Sequence, residues 1–121
     1  MENIIRFSAQ NLSNLTSFRK GEIKFGERIA VVPENIPIKE YLQTSEEKFV
    51  LFGIPEDIGV KANFGRTGTA SAWENTLKSL VNIQHNRFAK GYDLLVLGSL
   101  DTSNQMKKVQ DLNPENKDDL K

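Results

Sequence analysis

Phe49-Val50-Leu51-Phe52-Gly53-Ile54-Pro55-Glu56-Asp57-Ile58-Gly59-Val60-Lys61-Ala62-Asn63-Phe64-Gly65-Arg66-Thr67-Gly68-Thr69-Ala70-Ser71-Ala72-Trp73 holds three kinds of local structure in one run. Its first six residues are an apolar stretch of strand length, rich in aromatic and branched side chains and closed by proline. Polar residues do not alternate through it, so the predicted strand is buried on both faces, as in a parallel sheet covered by helices. A long glycine-punctuated loop follows. Ser71-Ala72-Trp73-Glu74 then fits a capping box, with Ser71 accepting from an orphan N–H and Glu74 reaching back. Trp73, Leu77, Leu80, Val81 and Gln84 recur at helical spacing, so the helix turns one stripe to a sheet and frays between Asn82 and Asn86. Lys90-Gly91 marks a turn, and Tyr92–Gly98 reads as a second buried strand. Strand, helix and strand make a βαβ unit with a right-handed crossover. Ligands of open parallel sheets sit outside the carboxyl ends of the strands. The loop after Ile54 leaves such an end, and Gly98-Ser99-Leu100-Asp101 leaves the neighbouring one.

Residues 1–47 are expected to form an N-terminal extension. Ile4, Ile5, Leu12, Leu15 and Phe18 make a partial helical stripe, best placed between Ser8 and Phe18, although Asn and Ser compete there for backbone hydrogen bonds. Arg28–Val32 reads as a short strand, Pro33–Pro37 as a turn, Ile38–Leu42 as a brief helix and Thr44–Glu47 as a polar connector. Residues 48–121 are expected to be the first βαβ unit of a domain, incomplete at its C-terminus. Thr102–Leu112 is a weak helix with Met106, Val109 and Leu112 on one face. Asn113-Pro114-Glu115 is a good helix start, with a cap residue, proline at the first helical position and acid in the first turn. The chain stops at Lys121, too soon for a stable helix. It reads as cut where another helix begins.

The 121 residues suffice for one domain with a modest core. Sixteen acidic and sixteen basic side chains balance, which gives no support for a nucleic-acid or anionic-membrane surface. There is no cysteine, so disulfides and thiolate metal sites are excluded. The N-terminus has no apolar signal region, and no apolar run approaches the ~20 residues that span a bilayer. The expected location is the cytoplasm. No internal repeat or low-complexity tract stands out.

Gly59, Gly65 and Gly68 match neither the dinucleotide fingerprint nor the Walker lysine motif. Glycine's tolerance of positive φ explains these residues but not the length of the loop. It runs about fifteen residues where 2–6 is usual, and long loops are commonly functional. Asp57 and Arg66 are its candidate active side chains, and an ion pair or backbone contact that holds the loop in shape is weighed equally against substrate contact. Glu56 and Asp57 are neighbours on an extended chain and point apart, against a two-carboxylate acid/base site. His85, the sole histidine, has no acid at ligand spacing and reads as a surface or helix-terminal residue. Trp73 reads as core, and Lys107-Lys108 as a solvated face.

Gly53-Ile54-Pro55-Glu56-Asp57-Ile58-Gly59, then Ala62-Asn63-Phe64-Gly65-Arg66-Thr67-Gly68-Thr69-Ala70, then Ala72-Trp73, resembles the first strand and loop of the arginase–agmatinase–formimidoylglutamase (ureohydrolase) family. The nearest branch is the formimidoylglutamase-like one, with G-x-P-E-D-x-G, A-N-x-G-R-x-G and an alanine-tryptophan helix. The match runs from about Lys48 to Asp101 and is thin before it. It implies an α/β fold, here a partial three-layer α/β/α arrangement with a parallel sheet, truncated after about two core strands. It also implies a two-manganese centre that activates water for attack on a guanidinium, amidine or formimino carbon, a C–N hydrolysis. The family's ligands lie in Gly-Gly-x-His, Asp-x-His-x-Asp and Asp-x-Asp segments, and none of these occurs in the 121 residues. The resemblance therefore assigns this chain no catalytic residue, no metal and no activity alone. It assigns a wall of the pocket for a small guanidino or formimino amino-acid-type substrate, through Asp57, Asn63, Arg66 and Gly68. The alternative is a free-standing α/β module that binds a small ligand or a protein. With the next strand of the family's sheet missing, the edge at Phe49–Ile54 is expected to be open and the fragment to self-associate.

Overall fold

In the computed structural model, residues 3–58, 62, 63, 65, 68, 71–88 and 90–109 are described. They form strand β1 (Ile4–Arg6), helix α1 (Ala9–Leu15), helix α2 (Ile38–Thr44), strand β2 (Phe49–Gly53), helix α3 (Ala72–Val81), strand β3 (Leu94–Leu100) and helix α4 (Ser103–Val109). The result is a small α/β fold around a three-stranded sheet in the order β1-β3-β2.

β3 is the middle strand because its residues are apolar on both sides. Val96 belongs to a core with Phe7, Leu12, Ile29, Leu77 and Val81, which draws on α1 and α3. Leu95 and Leu97 point the other way, into a core with Val32 and Ile38, against which Tyr41 and Leu42 of α2 pack. The strand begins two residues later than Tyr92, because Gly91–Asp93 forms a 3-10 turn and leaves Tyr92 exposed.

β2 and β3 pair in parallel, as the βαβ reading requires. The sheet as a whole is mixed, however, and not purely parallel. Ile4–Arg6, read as part of a helical stripe, forms β1 and pairs antiparallel with Leu100–Gly98 of β3. Three residues are too short to show a strand period, and their pairing is set by the edge of β3 that they reach. The same edge takes a second segment lower down. Ala30 bridges Leu95, donating to the Leu94 carbonyl at 3.0 Å and accepting from Val96 N–H at 3.0 Å. The strand expected at Arg28–Val32 is thus an extended segment with one bridge. Its alternation survives, with Ile29 and Val31 in one core and Ala30 and Val32 in the other.

The largest departure concerns β2. Its outer edge is open among the described residues, as expected, but it is not buried on both faces: Phe49 is 64%, Val50 51%, Phe52 37% and Ile54 62% exposed. A continuous apolar run specifies a strand but not its place in the sheet. β1 and Ala30 occupy one side of β3, β2 takes the other, and among the described residues no strand lies beyond it. The register passes from Leu51↔Val96 to Phe52↔Gly98, so the bulge puts its extra residue, Leu97, in β3 and leaves β2 regular.

α3 forms where helical spacing placed it, with Leu77 and Val81 buried. The capping box at its start does not form. Ser71 adopts a helical φ of −78° with ψ −9° and makes no cap bond. Its hydroxyl donates instead to the Gly68 carbonyl at 2.8 Å. By contrast Ser8 caps α1, with Asn11 returning the bond. At the other end of α3, Asn82 fastens the helix to α1. Its Oδ1 accepts from Ser17 N–H at 2.8 Å, and its Nδ2 donates to the carbonyls of Leu15 (3.0 Å) and Lys78 (2.7 Å). Asn82→Ala should therefore lower unfolding free energy by about 1–3 kcal/mol in urea titration. A change below a few tenths would show that water replaces these bonds without loss.

Of the expected helix Thr102–Leu112, the described part forms α4 over Ser103–Val109, and residues 110–112 lie outside the described residues; before it Asp101 Oδ1 accepts from Ser103 N–H (3.0 Å) and Ser103 Oγ (2.7 Å). The helix start at Asn113–Glu115 lies outside the described residues. Among the described residues no helix is long and apolar enough to cross a membrane.

Candidate functional site

The segment from Ile54 to Ser71 leaves β2 at the carboxyl end of the parallel pair. The hydroxyl of Thr102 donates to the Pro55 carbonyl, which joins the exits of β2 and β3. Asp57 is half-buried, and its Oδ2 accepts from Gly68 N–H at 3.2 Å. The carboxylate thereby closes eleven residues of loop with a backbone contact. Gly68 has φ +118° with nothing within 4 Å of a would-be Cβ, so glycine serves there for its backbone angle and not for room. Its carbonyl accepts from both Ser71 N–H (3.2 Å) and Ser71 Oγ (2.8 Å), and the loop returns directly into α3.

Of the four candidate pocket residues, Asp57 and Gly68 are thus brought together. Asn63 is exposed, and Arg66 lies outside the described residues. The first and last motif elements also meet. Trp73, the second residue of α3, lies so close over Gly53 that a Cβ there would overlap its ring at Cδ2 and stand 2.5 Å from Cε3. The tryptophan packs against the core, as its helical position suggested.

An open groove of about 710 Å³ lies beside these contacts. Asn11 and Asn14 of α1 face Trp73 and Glu74 of α3 across it, over Gly98 and Ser99 of β3. The long loop adds only Pro55 and Ser71 to its described wall. Asn11 Oδ1 accepts from Ser8, and Asn14 Oδ1 accepts from Gln10 Nε2 at 2.9 Å. The polar residues of the lining are Arg6, Asn11, Asn14, Ser71, Glu74 and Ser99. Sequence reasoning missed the α1 side, because asparagine in a helix reads as a weakness. The available signal was the Ser8–Asn11 cap, which fixes the start of that helix.

Arg6, beside the groove, donates to the carbonyls of Glu34 (3.1 Å) and Ile36, pinning the turn before α2 to β1. Ser103 holds the Asp101 carboxyl below its ordinary range, first through its hydroxyl and then through its N–H. His85 lies past the end of α3. Its Nδ1 accepts from Gly91 N–H at 3.0 Å, and its ring sits between Phe25 and Tyr92, so it shapes the turn into β3. Among the described residues no three Asp, Glu or His side chains converge as a metal site.

A scan of family models finds no match to this chain, and comparisons with curated proteins and with solved structures find none either. The ureohydrolase resemblance rests on the residues quoted for it.

Proposed function

We propose that the chain is the N-terminal segment of a manganese-dependent, formimidoylglutamase-like C–N hydrolase, and that it supplies a substrate-pocket loop without being active alone. The observation that carries this reading is the pairing of motif elements distant in sequence: Gly53 under Trp73, and Asp57 on Gly68. Cores on both faces of the sheet are also what a partial three-layer arrangement needs. In this reading Asp57 is a positioning residue, and Asn63 and Arg66 are left to meet the substrate. The two manganese ions would supply an activated water. The described residues do not fit them, since the Asp57 carboxylate already holds Gly68 N–H and Glu74 is the one described carboxylate on the groove wall. Their ligands belong to further polypeptide.

The second reading, a free-standing ligand-binding or interaction module, has the groove in its favour, with α1, α3 and β3 all contributing to its walls. Manganese titration and hydrolysis assays separate the two. The 121-residue chain should bind manganese no tighter than millimolar and turn over neither formimidoylglutamate, arginine nor agmatine. The product of the longest reading frame containing it should, with manganese, release formamide from the first or urea from the others. In that product Arg66→Ala should lower kcat/KM about tenfold or more, the loss of one charged hydrogen bond. Micromolar manganese binding by the 121 residues contradicts the hydrolase reading.

A further inference from the structure

We propose that the groove between α1 and α3 binds an uncharged small molecule that carries a carbonyl group on an apolar body, with the Ser99 hydroxyl as its anchor. Such a site rests on the ligand-binding reading of the groove, and it stands whether or not further polypeptide completes a hydrolase.

Two polar side chains are buried among the described residues, Thr16 and Ser99, each 6% exposed. The Thr16 hydroxyl donates to the Leu12 carbonyl at 2.7 Å, the ordinary way in which such a group is satisfied. The Ser99 hydroxyl has no partner among the described residues. Nor is it sealed off. The sealed side-chain atoms without a partner are Arg6 Nε and Glu47 Oε2, whereas Ser99 forms part of the groove wall. Strand pairing fixes the direction of its side chain. Ser99 lies opposite Gly53 of β2 and Ile5 of β1, and residues directly opposite in a ladder share a face. Gly53 sits under Trp73, and Ile5 and Trp73 both line the groove. Ser99 therefore points into the groove from its floor. A buried hydroxyl without a bond weakens a fold, so a ligand that supplies one gains from it.

The rest of the wall sets the class of ligand. Asn11 Oδ1 is taken by Ser8 and Asn14 Oδ1 by Gln10, so each amide has chiefly N–H left to give. With the Ser99 hydroxyl free to donate, the groove calls for an acceptor. A carboxylate or phosphate is disfavoured, because Glu74 is on the wall and makes no ion pair among the described residues. A cation is not called for either, since Glu74 lies in the first turn of α3, where the helix end offsets its charge. Arg6 also lines the groove, but its guanidinium goes to the carbonyls of Glu34 and Ile36. It leaves β1 on the face that Arg6 shares with Ile4, toward the second core. A carbonyl oxygen is the neutral acceptor that remains. Phe7, Leu15, Trp73 and Leu77 give apolar surface to the body that carries it. The groove volume of about 710 Å³ falls within the roughly 300–1,000 Å³ usual for small-molecule sites.

Benzamide, benzoate and benzylamine have nearly one shape and differ in charge, so they test the class directly. Binding is read from the emission of Trp73, the only tryptophan and a groove residue, and from amide NMR shifts at Gly98 and Ser99. Benzamide should bind with a dissociation constant of about 1 mM, as suits a fragment. The two charged probes should bind about tenfold more weakly or worse. Ser99→Ala should weaken benzamide about fivefold, while its melting temperature does not fall, because no bond within the protein is lost. Benzoate or benzylamine binding as tightly as benzamide keeps the ligand-binding reading and overturns the neutral class. No response to any probe means that water alone serves Ser99, and overturns the site. A Ser99→Ala chain that melts lower, or binds benzamide unchanged, overturns Ser99 as the anchor. None of these outcomes bears on manganese binding or hydrolysis, so the hydrolase reading stands or falls separately.

Discussion

Gly98→Ala is expected to lower stability by about 3–5 kcal/mol and the melting temperature by about 10–20 °C. Two costs coincide at this position. Gly98 has φ +142°, a conformation that side-chain-bearing residues rarely adopt. A Cβ there would also overlap the carbonyl oxygen of Ile5 and stand 2.9 Å from Arg6 Cα. These are main-chain atoms of β1, paired to this very residue through Arg6↔Gly98. They cannot step aside as a rotamer can, so relief requires β1 to leave β3. Gly68→Ala is the control, since it carries a positive φ of +118° without any close neighbour. It should cost about 1–2 kcal/mol, from backbone strain alone. Thermal and urea unfolding of both variants separates strain from collision. Amide exchange should place the damage in Gly98→Ala, as faster exchange of Phe7 N–H, which donates to the Leu97 carbonyl at 3.2 Å. A Gly98→Ala cost no larger than that of Gly68→Ala would mean that β1 is not held where it is described.

Gly53→Ala should cost about 1–3 kcal/mol, the usual range for forcing a methyl into a packed site. Here the obstacle is the ring of Trp73, which can be pushed outward at the expense of its core contacts. Trp73 is the only tryptophan, so intrinsic fluorescence reports this one contact. Its emission should move to the red in Gly53→Ala as the ring enters water. Trp73→Leu removes the collision, so the double variant should be more stable than the two single costs predict, by about 1 kcal/mol or more. Strict additivity would show that Gly53 and Trp73 do not touch. The pair also fixes where the long loop begins and ends, because Gly53 immediately precedes Ile54 and Trp73 is two residues from Ser71. In the hydrolase reading, the same substitution displaces the pocket wall without altering any residue on it.

Much of this was legible in the residues. Leu94–Leu100 and Phe49–Gly53 are apolar runs of strand length, and the Leu77–Val81 stripe sets α3 between them. What escaped depends on partners far off in sequence. Ile4-Ile5-Arg6 shows no period until β3 supplies an edge. The apolar run at Phe49 looks buried on both faces, yet its burial depends on which distant segments pack over it. Ser71 looked like a helix cap, but the carbonyl of Gly68 lies three residues away and takes its hydroxyl first. For the candidate site, the loop could be located and Asp57 singled out, because length and residue type are local properties. That Asp57 would choose Gly68 N–H required the fold.

The shared far edge of β3 has a consequence for synthesis. Ile4 pairs with Leu100 and Ala30 with Leu95, so two segments made early wait for the same late strand. At about 5–20 residues per second, β1 leaves the ribosome on the order of ten seconds before its partner exists. Through that interval the core of Phe7, Leu12 and Ile29 lacks Val96, its residue on the middle strand. Such distant pairings also slow the final closure.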